Sequence, residues 1–550
     1  MRLMNQKSLL PRMLRGTALA AAALVLSSAH AAAPGISGAS GAPVFNLDAA
    51  DMRATQPNGK SVYAWGYGCV STSGNTFLPA SVTIPAGVTP CPTAQMPGPT
   101  LIVTEGDTVT VNLTNNLPAS AGATSILFPG FTVTSPTTGA GIGAARLLTQ
   151  EAPNAAACTG AGCNTVTYTF VAAHAGTHSY YSGTQGDVQV EMGLYGAIIV
   201  LPKTIPTACT TNLATKNAAA KSANGEQDFR LAPAAYNNAS ACYDREYLFQ
   251  FAEMNDNVHN QVEQQVIADK AKKLATGTGC INATGCLVVT TEPYAPGYFL
   301  INGRSMPDDM DPNYAQQYPN QPYNGNPHMH PGELTLVRII GQGRWQHPFH
   351  EHANHLRLLA RDGNLLTSGT AESGYPAGPL LFTTTTTPGM TLDGIFYWTG
   401  KGLNWDVYGH GYAGDSSVCV PDANGYYTAD PTASNFYEWC GDHNKALEKN
   451  PTGQVANNGP ITLPDANIVL AGAWYSGSPY FGPDANARSV GSTPISPAGT
   501  IANSPGGEAG FAYMWHSHNE REITTDNVFP GGMMMMMLVD PRAFAIDESN

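Results

Sequence analysis

Alternating apolar and polar residues mark several of the strands that this chain predicts. Val109, Val111 and Leu113 alternate with polar residues within 105–115, and 165–171 shows the same period. Successive side chains of a strand face opposite sides, so this pattern predicts half-buried strands. Further strands are predicted at 193–200, 247–251, 332–340, 511–518 and 533–540, and a turn followed by a strand at 388–396. Residues 298–303 begin the second unit.

One segment has a different period. Val262, Val266 and Leu274 recur at nearly helical spacing, which predicts a helix over 257–275. Elsewhere the chain offers many short strands separated by turn residues. That arrangement is typical of an all-β protein built from sandwiches or barrels.

The order of these elements predicts two compact units. The first residues are typical of a cleavable signal peptide. They comprise a positively charged start, the apolar stretch Thr17–Leu26 and a candidate cleavage site at Ala29-His-Ala31. The predicted segments are a signal peptide (1–31), a leader (32–60), a first unit (61–202), a connector or degenerate unit (203–289) and a second unit (290–545) with an insertion at 405–505.

The composition agrees with an exported protein. Charged residues make up 12% of the chain, and the net charge is −14, which argues against nucleic acid as a partner. No stretch after the signal peptide approaches 18 apolar residues, so no membrane span is expected. We therefore expect a periplasmic or extracellular location.

The cysteine count predicts disulfides. The chain has 10 cysteines, an even number, and an exported protein meets an oxidising compartment. The sequence leaves their connectivity open, with pairing of neighbours in chain order as one plausible scheme. The cysteines are Cys69, Cys91, Cys158, Cys163, Cys209, Cys242, Cys280, Cys286, Cys419 and Cys440.

Histidines are concentrated in one stretch. His347 to His355 holds four of the 14 histidines and follows the strand predicted at 332–340. In an extended chain His350 and His352 project from one face and Glu351 from the other. A second pair, His516-Ser-His518, lies near the C-terminus. Because imidazole suits copper, zinc, iron and nickel, two such pairs predict a metal site.

Several motifs in combination resemble the multicopper oxidase family. The resemblance implies tandem cupredoxin-like Greek-key β-sandwich domains with a three-copper cluster held by four histidine pairs. It also implies a mononuclear blue copper held by two His, one Cys and often a Met. The motifs are Pro97-Gly-Pro-Thr100, Glu105-Gly-Asp-Thr-Val-Thr-Val-Asn-Leu113, Gly193-Leu-Tyr-Gly-Ala-Ile-Ile-Val200, Phe299-Leu-Ile-Asn-Gly-Arg-Ser-Met-Pro-Asp308, His347-Pro-Phe-His-Glu-His352 with Asp362-Gly363, and Trp515-His-Ser-His518 with Gly532-Met533.

The chain departs from this family pattern at most of the copper ligands. Leu127-Phe-Pro-Gly130 stands where the first histidine pair is expected, and Tyr181 and Gly183 replace the second. Ser517 stands where the family has its cysteine, and Glu522 where a histidine would fall. Since a blue site needs a cysteine thiolate, we expect no blue copper and no complete three-copper cluster.

The resemblance leaves one set of metal-ligand candidates, for one or two copper ions. These are His350, His352, His516 and His518, followed by His347 and then by His355 and Met533. Glu351, Glu520 and Glu522 are partners of the imidazole N–H groups, oxygen ligands for a harder metal or, in the favoured interpretation, solvated surface residues. His328-Met-His330 is interpreted as a surface pair. Met533–Met537 is interpreted as core packing, with a Cu(I)-handling surface that includes Met514 as the alternative.

These observations leave several functions open. The first is a copper-dependent oxidoreductase with a reduced set of ligands, acting on a small reductant, a phenol or a metal ion. The second is a non-catalytic protein that stores or delivers copper. The third is a structural envelope protein that keeps only the fold; zinc-dependent hydrolysis is a weaker fourth. By analogy with the family, two units per chain predict a homotrimer, whereas a third unit at 205–290 would predict a monomer.

Overall fold

The computed structural model describes residues 33–70, 75–135, 149–211, 213–370, 373–401, 420–431, 436–439, 441, 477–480, 510–540, 542 and 545–547. The predicted signal peptide and most of the predicted insertion at 405–505 lie outside these residues. Across the described ranges, no helix is both long and apolar enough to span a bilayer.

The first β-sandwich contains two sheets. Their strand orders are β4-β1-β5-β9-β8 and β3-β2-β6-β7, with β1 at Gly35–Ser37, β2 at Val44–Thr55, β3 at Ser61–Cys69, β4 at Thr76–Leu78, β5 at Leu101–Thr104, β6 at Thr108–Asn115, β7 at Thr165–Val171, β8 at Gly176–Tyr181 and β9 at Tyr195–Leu201. Val109, Val111 and Leu113 of β6 are fully buried, while the residues between them are partly exposed. The predicted alternation in this strand is confirmed.

The second β-sandwich also contains two sheets. Their strand orders are β11-β10-β13-β19-β15-β16, with β17 beside β15, and β12-β22-β21-β14-β18, with β20 beside β21. The strands are β10 (Arg245–Met254), β11 (Tyr298–Ile301), β12 (His328–Met329), β13 (Leu334–Gly341), β14 (His347–Glu351), β15 (Leu356–Arg361), β16 (Asn364–Leu365), β17 (Leu380–Leu381), β18 (Thr383–Thr386), β19 (Thr391–Tyr397), β20 (Gly477–Tyr480), β21 (Gly510–Ser517) and β22 (Met534–Val539). The expected all-β tandem architecture is confirmed.

Two predicted boundaries differ from the sheets. The predicted leader at 32–60 contains β1 and β2, and β2 pairs with both β3 and β6. Its inward positions include the small Ala49, which weakens the apolar alternation on which the prediction depended. The predicted connector at 203–289 contains β10, which pairs with β11 and β13 and so is part of the second sandwich.

The predicted helix at 257–275 is confirmed as α3. Its first turn is capped by Asn255, whose side chain accepts from the amide of Asn257. Val262 and Val266 pack into the first sandwich, but Leu274 of the same pattern is 89% exposed. The helices are α1 (Gly186–Gln189), α2 (Leu213–Asn224) and α3 (Asp256–Thr276), with short 3-10 helices at Ala119–Ala121, Ala155–Ala157, Thr207–Thr210, Ala239–Ala241 and Asp308–Met310.

Disulfides join cysteines that are neighbours in chain order. The four bridges of the described residues are Cys69–Cys91, Cys158–Cys163, Cys209–Cys242 and Cys280–Cys286. The predicted use of cysteine for disulfides is confirmed for these eight. Cys419 and Cys440 lie outside the described residues.

The two sandwiches share a buried interface. Ala197 and Ile199 of β9 pack against Leu248 of β10 and Ile340 of β13. Both faces of β9 are therefore covered, which explains why 193–200 is apolar without alternation. This contact uses the sheet of the second sandwich that holds β10 and β13, whereas the histidine pairs lie on its other sheet.

Candidate metal centre

The histidine pairs lie on adjacent antiparallel strands. β14 pairs with β21 in a register that sets His350 directly opposite His516 and Phe349 opposite Ser517. Phe349 belongs to the core of the second sandwich. Because side chains alternate along each strand, the two histidines share the opposite face of the sheet.

Three of the predicted ligands converge. His350, His352 and His516 each offer a ring nitrogen, and these nitrogens lie within 4.8 Å of one another. The Nε2 atoms of His352 and His516 are 3.2 Å apart. All three side chains are buried. This spacing and this set of donors fit one copper ion, since imidazole is a good ligand for that metal.

The fourth predicted ligand lies at the edge of this group. The ring centroid of His518 is 4.8 Å from that of His350 and 5.6 Å from that of His516. His518 is exposed, in contrast to the other three. The structure therefore places it where the cluster meets the surface.

Hydrogen bonds fix the tautomer of His516 and orient His350. His516 Nδ1 lies 2.7 Å from the backbone carbonyl oxygen of Ser517, which can only accept, so Nδ1 carries the proton. The Nε2 lone pair of neutral His516 then faces the cluster. His350 Nδ1 bonds to the hydroxyl of Thr383 at 2.7 Å, which leaves Nε2 as its remaining ring nitrogen. Partners of this kind orient metal-binding histidines.

Burial also keeps these imidazoles neutral. Burial, together with neighbouring His516 and His518, lowers the pKa of His350 from 6.5 to about 4. Burial likewise lowers the pKa of His516. Neutral imidazole is the form that binds metal, so the cluster is prepared for a cation near neutral pH.

His347, which was predicted as a further ligand, does not join the cluster. Its Nδ1 lies 2.9 Å from a carboxylate oxygen of Glu522, and its Nε2 lies 3.0 Å from one of Glu253. Burial would lower its pKa, but the hydrogen bonds to these two carboxylates raise the pKa of His347 to about 9. Both ring nitrogens of this core residue are thus engaged with carboxylates, and the raised pKa favours its protonated form.

The residues around His347 stand where the family resemblance implies a mononuclear copper. Ser517 Oγ donates to Glu522, and both side chains are fully buried. The donors available there are a hydroxyl and carboxylates already paired with His347, without the thiolate that a blue site needs. These residues do not fit a blue copper.

The two further candidates also lie apart from the cluster. His355 is exposed and its ring contacts that of Phe382, with centroids 5.2 Å apart. Met533 is fully buried in the core of the second sandwich together with Met535 and Met537. For these three methionines the core-packing interpretation is confirmed.

Several polar residues are more buried than the sequence suggested. Glu351 is fully buried, and burial raises its pKa to about 8. Glu522 is also fully buried, so the favoured surface interpretation is wrong for both, whereas Glu520 is exposed. His328 and His330 are buried and hydrogen-bonded to the carboxylates of Asp540 and Glu226, so the predicted surface pair is a structural one.

The first sandwich uses the family's ligand positions for packing. Leu127 and Tyr181 form a backbone bridge in which Leu127 N donates to Tyr181 O at 2.7 Å. The ring of His178 packs on Phe131, with centroids 4.6 Å apart. These contacts show that Leu127, Tyr181 and His178 take part in the packing and pairing of the first sandwich.

Residues 91–205 match the sequence profile of the multicopper oxidases. Over this segment the chain is similar to that family. The matched segment covers the Pro97 to Thr100 turn and the strands β5 to β9, which carried the resemblance in the first half. The donor set of the three-histidine cluster fits copper, the metal after which the matched family is named.

Solved structures of copper proteins give weaker likenesses. The multicopper oxidase mgLAC is 13% identical, with a TM-score of 0.42 over 90% of this chain and 86% of that chain. The blue copper oxidase of Nitrosomonas europaea is 15% identical, with a TM-score of 0.41 over 90% and 85%. The copper nitrite reductase of the same organism is 17% identical, with a TM-score of 0.32 over 64% and 84%. No curated protein sequence matches significantly. Function therefore has to be inferred from the site.

The side chains that orient the histidine cluster could not be identified from the sequence. Thr383 lies on β18, which pairs with β14 and sets Thr383 opposite His350. The run Thr383–Thr387 was visible in the sequence, but its register was not. Trp515 Nε1 donates to the carbonyl of His352 at 3.1 Å and anchors the end of that pair. The sequence shows Trp515 beside His516, but not that its indole reaches the end of the other histidine pair.

Proposed function

We propose that this protein is an exported copper-dependent oxidoreductase with a single non-blue copper. His350, His352 and His516 hold the ion, and His518 is a fourth ligand at the surface edge. The observation that carries this proposal is the convergence of three buried imidazoles within 4.8 Å. It agrees with the family match, which implies copper.

The protein supplies a neutral and oriented set of donors. The Ser517 carbonyl holds the Nδ1 proton of His516, and Thr383 holds Nδ1 of His350. When bound, copper supplies one-electron exchange between a small reductant and dioxygen. The exposed His518 marks the side from which small molecules reach the centre. Phenols and reduced metal ions are the substrate classes we propose.

Oxygen uptake tests the catalytic part of this proposal. The mature protein is loaded with copper, dialysed and assayed with a phenolic reductant and with Fe(II). We expect uptake that is lost in His350→Ala and His516→Ala and retained in His355→Ala, which changes an exposed histidine outside the cluster. Equal uptake in the wild type and in both cluster variants would overturn the proposal.

A second function is favoured by the residues at the expected mononuclear position. Ser517, Glu522 and His347 form a hydrogen-bonded group there, so the usual route for electrons from substrate is missing. A non-catalytic protein that stores or delivers copper needs no such route. It would bind copper at the same histidines without consuming oxygen, and would pass the ion to a chelator or partner.

A further inference from the structure

Thioether side chains share the sheet face that carries the histidine cluster. β22 lies on the other side of β21 from β14, and its register sets Met534 opposite His516 and Met536 opposite Met514. Directly opposed residues project from the same face of a sheet. Met514, Met534 and Met536 therefore lie on the face of His516.

The register continues from these methionines to the other histidines. His350 is opposite His516, so Met534, His516 and His350 form one row across three strands. The pairing of β14 with β21 ends at Glu351 and Trp515. His352 follows Glu351 at the end of β14, and Met514 precedes Trp515 and is opposite Met536. Opposed residues have Cβ atoms about 5 Å apart, a distance that a methionine side chain can span.

The methionines of this region divide between the two faces of the sheet, although Met536 also packs against the core of the second sandwich. Met533, Met535 and Met537 are fully buried in the core of the second sandwich. The alternate residues Met534 and Met536 point the other way, and Met514 and Met536 are partly exposed. The three on the histidine face, here called the outer methionines, are Met514, Met534 and Met536.

We propose that the outer methionines extend the histidine centre into a mixed imidazole and thioether site that binds Cu(I). This inference rests on the copper centre proposed above. Thioethers are soft ligands that select Cu(I), whereas imidazole also accepts Cu(II). The site therefore holds reduced copper more tightly than three imidazoles alone would.

Two matched triple variants test separately the methionines on the histidine face and those on the core face. The outer variant is Met514→Leu, Met534→Leu and Met536→Leu, and the inner control is Met533→Leu, Met535→Leu and Met537→Leu. Leucine conserves volume while removing the sulfur. Cu(I) affinity is measured without oxygen by competition with a chromophoric Cu(I) chelator, and Cu(II) affinity by competition with a Cu(II) chelator. Met535→Leu alone is the inner control if the inner triple variant does not fold.

We expect the outer variant to lose Cu(I) affinity by about tenfold or more, with Cu(II) affinity unchanged, and the inner control to keep both. X-ray absorption of the Cu(I)-loaded wild type should show sulfur ligands that the outer variant lacks. Unchanged Cu(I) affinity in the outer variant, or equal losses of both ions, would overturn the mixed site and leave the histidine centre standing. A wild type that binds neither ion would overturn both.

Discussion

The state of single imidazoles decides what this centre can do. His516 holds its proton on Nδ1 because a carbonyl accepts it, and burial keeps His516 and His350 neutral. His347 is only three residues from His350. Its pKa is raised instead, because both of its ring nitrogens are hydrogen-bonded to carboxylates. Neighbouring positions of one strand thus carry an imidazole whose pKa is lowered and one whose pKa is raised.

The charge on His347 predicts a loss of stability at alkaline pH. Its pKa is raised to about 9 in the folded protein against 6.5 ordinarily, so the folded state holds the extra proton between those values. Its contribution is complete below pH 6.5 and is lost as the pH rises through about 9. At about 1.4 kcal/mol per pKa unit this contribution is about 3 kcal/mol.

Urea unfolding of wild type and His347→Gln from pH 6 to 10 measures this contribution. We expect the difference in unfolding free energy between the two to be largest near pH 6 and to shrink toward pH 10. His355→Gln, at an exposed position, should follow the wild type throughout. A difference that stays constant with pH would show that His347 is not charged in the folded protein.

Most of the sequence-based strand predictions were correct. The spacing of apolar residues that marks a strand is contained within the few residues of that strand. The burial of β6 follows its alternation, and β9 is apolar throughout because both faces are covered. The failures have a common cause. In β2 small residues such as Ala49 face the core, and in α3 Leu274 occupies an exposed position despite its helical spacing. Tertiary contacts, which the local pattern does not contain, decided these cases.

The different burial of neighbouring methionines in β22 predicts that their substitutions lower the free energy of unfolding by different amounts. Met535 is fully buried in the core, whereas Met536 is only partly buried. Replacing a buried Met by Ala leaves a cavity and costs about 2–5 kcal/mol. We expect Met535→Ala to fall in this range and Met536→Ala to cost clearly less, as measured by thermal or urea unfolding of the metal-free protein. Equal costs would mean that β22 does not alternate as described.

At the level of the whole molecule, buried polar contacts hold the two sandwiches together. Thr177 of β8 donates to Asp393 of β19 at 2.6 Å and accepts from Arg338 of β13 at 3.0 Å. All three side chains are buried. Since each hydrogen bond involves a charged group, this contact is worth more than a neutral one.

Removing this hydroxyl tests whether the sandwiches unfold together. Thr177→Val keeps the shape but leaves Asp393 and Arg338 each without one partner. We expect a loss of about 1–3 kcal/mol and an earlier separation of the two sandwiches in urea. Thr165→Val, at an exposed position of β7, is the control and should change little. A variant that unfolds like the wild type would mean that apolar contacts alone join the sandwiches.

The sequence predicts those features of the candidate site that depend on spacing within one strand. It does not predict those that depend on contacts between strands that are distant in the chain. His350, His352, His516 and His518 were predicted because the His-X-His spacing puts two imidazoles on one face. The exclusion of His347 could not be predicted, since Glu253 lies on β10, 94 residues earlier in the chain. The row of outer methionines also depends on the pairing of β21 with β22. Register between distant strands is not visible in a single sequence.

Copper content tests the central claim most directly. The mature protein is loaded with Cu(II), dialysed, and measured by mass spectrometry and EPR alongside a His350→Ala, His516→Ala double variant and a His355→Ala control. We predict one copper per chain with a non-blue EPR spectrum in the wild type and in the control, and none in the double variant. Copper retained equally by the double variant, or by none of the three proteins, would contradict a copper centre at these histidines.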